Sequence, residues 1–254
     1  MQVAQILGDR DHVRVDCPSC GGNHTLSISR SGAGIVWSCF RNSCNVKGAK
    51  NEHMTAADIR NMLARKSKKT PVFKLPDNII KGVSNNMVRE YLIKNHCMHA
   101  VESYAAGVGY DPDMNRVVFY NSGGATGRAL NPHDVPKWYI YPDSQRVPFV
   151  VGGGSTAVLV EDCASACAIS SNDKYTGVAL MGTNYFPEYT KYLQDFDHVV
   201  IALDKDARVK NFELKEYLTN HFDCVNIWLL NTDLKYIDCT DEQKLLEAKG
   251  HTDE

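Results

Sequence analysis

The sequence predicts an α/β chain, α+β taken as a whole, in three parts: a small cysteine-rich ribbon, a basic α+β subdomain and a parallel-sheet domain. Three observations carry that reading. Two short cysteine pairs flank a stretch of alternating polarity near the N-terminus. A block of short β-like runs punctuated by Gly and Pro fills the middle. Beyond it, apolar runs of strand length alternate with helix-like segments, the pattern of a parallel sheet. The boundaries read as 1–50 for the ribbon, 51–83 for a connector, 84–152 for the basic subdomain, 153–238 for the parallel-sheet domain and 239–254 for a C-terminal helix and tail.

At 254 residues the chain can bury a sizeable core divided among two or three units. Its net charge of -2 gives no global basic signature, so any nucleic-acid-binding surface must be local. No apolar run approaches a membrane span and the N-terminus carries no signal-peptide pattern, so no membrane partner and a cytoplasmic location are expected. Nine cysteines, an odd number, then argue for thiols and a metal site rather than disulfides.

Four of them are paired locally. Cys17-Pro18-Ser19-Cys20 precedes the alternating Thr25-Leu26-Ser27-Ile28-Ser29, a hairpin around Gly32 and Gly34, then Ile35-Val36-Trp37-Ser38-Cys39 and Cys44. Cys pairs on turns joined by a hairpin can form the thiolate tetrahedron that zinc requires. A site closed by Cys17, Cys20, Cys39 and Cys44 would be structural, and His24 is then an ordinary loop residue. Such a ribbon can present His12, Arg14, Arg30, Trp37 and Arg41 to a nucleic-acid template.

The connector contains a short amphipathic helix over 56–64, capped by Thr55, and the basic run Arg65-Lys66-Ser67-Lys68-Lys69. From Ser84 the second part opens with a helix over 86–95, Met87, Tyr91 and Leu92 facing inward, and continues through 100–106. Strands follow over 107–110, 115–120, 126–130 and 136–142. Gly152-Gly153-Gly154-Ser155 reads as a flexible joint. No phosphate loop of the Gly-x-x-x-x-Gly-Lys-Ser/Thr type occurs, so no ATP-driven motor is encoded.

In the third part Ala157-Val158-Leu159-Val160 ends in Glu161, and a small-residue helix over 164–168 follows. Val199-Val200-Ile201-Ala202-Leu203 then ends in Asp204-Lys205-Asp206. In an extended segment, i and i+2 share a side, so Asp204 and Asp206 aim at one point that suits a hard cation. Ligands of parallel sheets collect at the carboxyl ends of the strands, which brings Glu161 to the same edge. A helix over 211–222, with Phe212, Tyr217, Leu218 and Phe222 inward, a strand over 224–230 and a helix capped at Thr240-Asp241 complete the chain. Cys163 and Cys167 lie one helical turn apart and read as packing residues.

The ordered trio, with the Leu180-Met181-Gly182-Thr183 turn between its members, resembles the TOPRIM domain. Asp233-Leu234-Lys235-Tyr236-Ile237-Asp238 resembles the lysine-and-acid segment that ends many such domains in primases. The chain departs from the pattern at Asp162, where Gly is usual after the glutamate, at Ser165, where a further acid is usual, and at Arg208-Val209, where Gly is usual. Arg116-Val-Val-Phe, Gly127-Arg128-Ala-Leu and Pro136-Lys137-Trp-Tyr resemble the basic subdomain that precedes TOPRIM in bacterial-type DNA primases. The layout is similar to the primase half of phage primase-helicases.

The resemblance implies template-directed synthesis of short RNA primers on single-stranded DNA from ribonucleoside triphosphates. Glu161, Asp204 and Asp206 would be catalytic, binding Mg2+ or Mn2+, with Glu161 helping to activate the attacking hydroxyl. Arg116, Arg128 and Lys137 would bind template and nucleotide phosphates. With no motor in the chain, a separate replicative helicase and a DNA polymerase are the implied partners, and a phage or mobile-element source in a bacterial cytoplasm is implied by analogy. The alternatives are a TOPRIM nuclease and a non-catalytic zinc-containing nucleic-acid-binding protein.

Overall fold

The computed structural model describes residues 6–7, 12–31, 34–41, 44–51, 72–249 and 252–253. The expected helix over 56–64, the basic run 65–69, the hairpin's Gly32 and the spacer residues Asn42 and Ser43 lie outside them. The chain divides into two units, Met1–Thr70 and Pro71–Glu254.

The first unit holds β1 (His12–Val15), β2 (Leu26–Ser31), β3 (Gly34–Cys39) and β4 (Lys47–Asn51), an antiparallel sheet in chain order. Alternation sorts its faces: Leu26, Ile28 and Ile35 are buried together, with Val13, Val15 and Trp37 packed against them. Trp37, expected as a template contact, is therefore part of the ribbon's core, and it lies across from Gly48 in register. His12 and Arg14 are exposed on β1.

The second unit contains two sheets. β5 (Ile80–Lys81), β6 (Gly107–Asp111), β7 (Arg116–Tyr120), β8 (Ala125–Ala129) and β9 (Trp138–Ile140) form an antiparallel sheet in that order. Residues assigned to the connector take part in it: Ile80 and Lys81 pair with β6, and Phe73 and Ile79 are buried under the sheet. Between β5 and β6 run α1 (Asn86–Lys94), capped by Asn85, and α2 (Met98–Tyr104). Leu92 is buried and Tyr91 packs against the core as expected, with Val88 buried beside them, whereas Met87 is exposed.

The other sheet has the order β10-β12-β11-β13-β14-β15. Its elements are β10 (Phe149–Gly152), β11 (Thr156–Val160), α3 (Cys163–Ile169), β12 (Tyr175–Ala179), β13 (His198–Ile201), α4 (Arg208–Leu218), β14 (Val225–Trp228), α5 (Glu242–Lys249) and β15 (Thr252–Asp253). The four inner strands are parallel and the outer two antiparallel. β11 is covered on both sides, as a central parallel strand must be. Val158 and Val160 pack toward α3 and the antiparallel sheet, while Ala157 and Leu159 pack toward α4. Asn211, Leu214 and Leu218, at i, i+3 and i+7, are the buried residues of α4, and Tyr217 and Phe222 pack against the same core; Phe212, expected inward, lies off that stripe and is exposed.

Val117 and Phe119 of the antiparallel sheet share a core with Val158, Val160 and α3. The glycine stretch joins β10 to β11 within one sheet, with Gly154 buried, and is not the flexible joint between subdomains that the sequence suggests. A side chain at Gly154 would collide with the backbone of Lys174 and Tyr175, and Thr176 Oγ1 donates to the Gly154 carbonyl at 2.8 Å.

Buried Ala, Ser and Cys let α3 approach β12 so closely that a Cβ at Gly177 would meet the carbonyl oxygen of Ala166. Gly177→Ala is expected to destabilise the second unit by about 1–3 kcal/mol and to lower its melting temperature by several degrees. An unchanged thermal melt would contradict this packing.

Candidate active site and metal centre

In the first unit Cys17 Sγ lies 3.8 Å from Cys44 Sγ, and Cys20 Sγ 3.8 Å from Cys39 Sγ. All four sulfurs lie within 4.8 Å of one another, and the cysteines are free thiols. A tetrahedron with metal–sulfur bonds of about 2.3 Å has edges of about 3.8 Å, so the spacing fits zinc with no ligand left for a substrate. Backbone N–H groups of Gly22 and Arg41 hold the Cys20 and Cys39 thiols below their usual range, Cys20 at about 6. Against the Val46 N–H, burial and the three neighbouring cysteines push Cys44 up to about 11, a crowding of thiolates that a bound cation would relieve. Arg41 Nη1 donates to the Cys20 carbonyl at 3.0 Å, so this expected template contact braces the cysteine turn. His24 donates its backbone N–H to Asp16 at 2.8 Å and is not one of the clustered ligands.

In the second unit β11 ends immediately before Glu161, and the backbone of the 180–182 turn holds that end. Leu180 N donates to the Val160 carbonyl at 2.8 Å and Gly182 N to the Glu161 carbonyl at 2.9 Å. β13 ends at Ile201, beside Leu159 in register. Asn211 Oδ1, almost fully buried, accepts the Leu203 N–H at 3.2 Å and fixes the segment that follows. Asp204 N donates to Glu161 Oε1 at 3.2 Å, so the first two acids of the trio meet as expected.

Asp206 is placed differently. The strand stops before Asp204 and Lys205–Ala207 form a 3-10 turn, so the extended i, i+2 geometry does not apply. Asp206 is exposed, though its charge still reaches Glu161 and Asp204.

A cavity of about 320 Å³ opens over these acids. Glu161, Asp162, Asp204 and Asp233 line it with Lys235, Arg128, Lys137, Trp138 and the 181–182 turn. A second cavity, of about 330 Å³, shares Thr126, Ile140, Met181 and Gly182 with it. The Arg128 guanidinium lies over the Trp138 ring at 5.2 Å, which limits its freedom.

Arg116 does not join this group. Arg128 stands opposite Val117 in the β7–β8 register, so Arg116 belongs to the other face of the sheet. There it is 2% exposed, donates to the Gly127 carbonyl at 3.3 Å and lies over Tyr139.

Burial, the Asp204 charge and that of Asp206 push the Glu161 carboxyl up to about 7, against the opposing Asp204 N–H. Burial also pushes Asp204 up to about 6, although Lys235 pulls it down. Two all-oxygen donors raised by burial and by neighbouring carboxylates fit a hard divalent ion, whose charge would relieve both effects. Among the described residues, the four thiols are the one group of three or more ligands whose atoms all lie within 4.8 Å of one another.

Sequence reasoning gave no role to Asn211, and it noted Lys235 and Asp233 only as part of a terminal segment. Lys235 reaches Asp162 and Asp233, so its position between acids in the sequence was the available signal.

No family model matches the sequence, and no curated protein matches it. Among solved structures the chain is similar to the RNA polymerase domain of Mycobacterium tuberculosis primase DnaG, at 14% identity over 66% of this chain and 76% of that one, with a TM-score of 0.50. A DnaG primase catalytic domain bound to single-stranded DNA aligns at 17% identity over 64% of this chain and 70% of that one, with a TM-score of 0.49. The primase fragment of the bacteriophage T7 primase-helicase aligns at 14% identity over 94% and 99%, with a TM-score of 0.45. The likeness is one of fold: over the matched two thirds, the chain has the architecture of a primase RNA polymerase domain, preceded in sequence by a four-cysteine ribbon suited to structural zinc.

Proposed function

We propose that this chain is a DNA primase that joins ribonucleotides on a single-stranded DNA template. The observation that carries the reading is the cavity where Arg128 and Lys137 stand with Glu161 and Asp204, anion-binding and cation-binding groups in one space. A triphosphate requires that combination. Arg128, steadied on Trp138, and Lys137 grip phosphate oxygens, which orients the α-phosphorus for in-line attack.

Glu161, with its carboxyl near neutrality, accepts the proton of the attacking 3′-hydroxyl. The 3′-oxygen bonds to the α-phosphorus as the bond to the β-phosphate oxygen breaks, and pyrophosphate leaves. Glu161, Asp204 and Asp206 would hold Mg2+ or Mn2+, which lowers the hydroxyl's pKa and neutralises the departing charge. Exposed His12, Arg14, Arg30 and Arg41 on the ribbon are the groups that would touch template. Strand separation and primer extension fall to a separate replicative helicase and a DNA polymerase. No helix among the described residues is long and apolar enough to cross a membrane.

The reading is tested against strand cleavage by incubating end-labelled single-stranded DNA with labelled ribonucleotides and Mg2+. The account expects ribonucleotide label in short oligomers and intact DNA; shortened DNA without oligomers would make the site a nuclease.

Divalent binding must displace the protons of Glu161 and Asp204, so Mn2+ affinity is expected to rise through about pH 6 to about 7 and level off above. The slope is about tenfold per pH unit for each proton displaced. In the metal-free protein the sign is opposite for stability: folded Glu161 keeps its proton up to about 7 and the unfolded chain only to about 4.5, so this contribution falls as pH rises between them. Titration calorimetry showing flat Mn2+ affinity across this range would contradict the assignment.

A further inference from the structure

Lys235 sits on the short turn Leu234–Tyr236 and is 9% exposed. Its Nζ lies 2.8 Å from Asp162 Oδ2, 2.9 Å from Asp233 Oδ2 and 3.9 Å from Asp204 Oδ2. Burial alone would favour the neutral amine, but the three carboxylates hold it charged, well above the usual lysine range. It is a fixed positive charge in the wall of the acidic cavity.

The ammonium also removes oxygens from the pool that a metal could use. Asp162 has both committed: Oδ1 accepts the Ser165 N–H at 2.9 Å to cap α3, and Oδ2 accepts from Lys235. Asp233 Oδ2 is taken by the same ammonium. The first turn of α3 contributes no carboxylate, and Ser165 faces the interior there with a buried hydroxyl that finds no partner. What remains toward the cavity is Glu161, Asp204, whose Oδ2 lies 3.9 Å from the ammonium and beyond hydrogen-bond reach, and Oδ1 of Asp233, with Asp206 nearby.

We propose that Lys235 is a built-in cation of the acidic site, filling with Asp162 and Asp233 the ground that a second divalent ion would need, so that the chain takes up one such ion where an uncharged residue 235 would admit two. This rests on the reading of Glu161 and Asp204 as divalent ligands. Lys235 is a positioning residue: it neutralises Asp162 and Asp233 and leaves Asp204 oriented toward the bound ion.

The test is a Mn2+ titration of the zinc-loaded full chain by calorimetry, with free Mn2+ followed by electron paramagnetic resonance. The wild type is expected to bind one ion, Lys235→Arg one, and Lys235→Met two. A lysine that only braces the fold gives the opposite sign, since its loss would weaken Mn2+ binding or leave it unchanged. Should Lys235→Met fail to melt cooperatively, Lys235→Gln keeps an amide donor without the charge and is expected to bind two ions. Two ions in the wild type, or no second ion in a folded neutral variant, overturns the proposal. A folded wild type that binds no Mn2+ overturns it together with the divalent reading beneath it.

Discussion

Chelating the metal from the four-cysteine ribbon, or replacing Cys39 with Ser, is expected to unfold the first unit while Pro71–Glu254 keeps its melt. The reason lies in the size of the ribbon's core. Among the described residues its buried apolar side chains are Leu7, Cys17, Leu26, Ile28 and Ile35, and a unit of this size rarely folds on so few apolar groups. Structural zinc supplies about 10–16 kcal/mol of apparent binding energy in comparable small folds, more than such a core can replace. Trp37 reports the event directly because it packs inside the ribbon: its emission is expected to shift to the red on chelation. An unshifted Trp37 signal in metal-free protein, read in a chain where Trp138 and Trp228 are replaced by Phe, would contradict the assignment.

Glu161→Ala is expected to reduce primer synthesis by at least about 10³-fold, about 4 kcal/mol of barrier, while single-strand binding stays within a few-fold. Glu161 is the group on which the site's features converge: the 180–182 turn holds its carbonyl, Asp204 N–H holds its carboxylate and burial sets its proton affinity. In the proposed reading the phosphate contacts fall to Arg128 and Lys137, which line the same cavity, so DNA binding is expected to be separable from chemistry. Equal loss of binding and synthesis, measured by filter binding beside product formation, would contradict that separation.

What the sequence disclosed was what local spacing encodes. Cys17, Cys20, Cys39 and Cys44 announce themselves because short turns and one hairpin suffice to gather them. Glu161 and Asp204 were legible because parallel strands deliver their ends to one edge. Arg116 was not, since only the β7–β8 register shows that it and Arg128 lie on opposite faces. The same alternation sends Trp37 into the ribbon's core. The extended geometry expected of Asp206 does not hold, because the chain leaves the strand at Ile201 and turns before reaching it. For Lys235 the local sequence offers Asp233 as a partner, whereas Asp162 and Asp204 come from turns distant in sequence that no local pattern records.

The departures at Asp162 and Ser165 follow from the same geometry. Asp162 caps α3 and binds Lys235, two tasks that Gly cannot perform. Ser165 lies 2% exposed against the sheet, where a carboxylate would be buried at high cost.

The most direct measurement is oligoribonucleotide formation from labelled ribonucleotides on a mixed single-stranded DNA template with Mg2+ or Mn2+, wild type beside Asp204→Ala. The account predicts short, metal-dependent products from the wild type and none from the variant. Absence of product from folded, zinc-loaded wild type on varied templates, or equal product from Asp204→Ala, would contradict it.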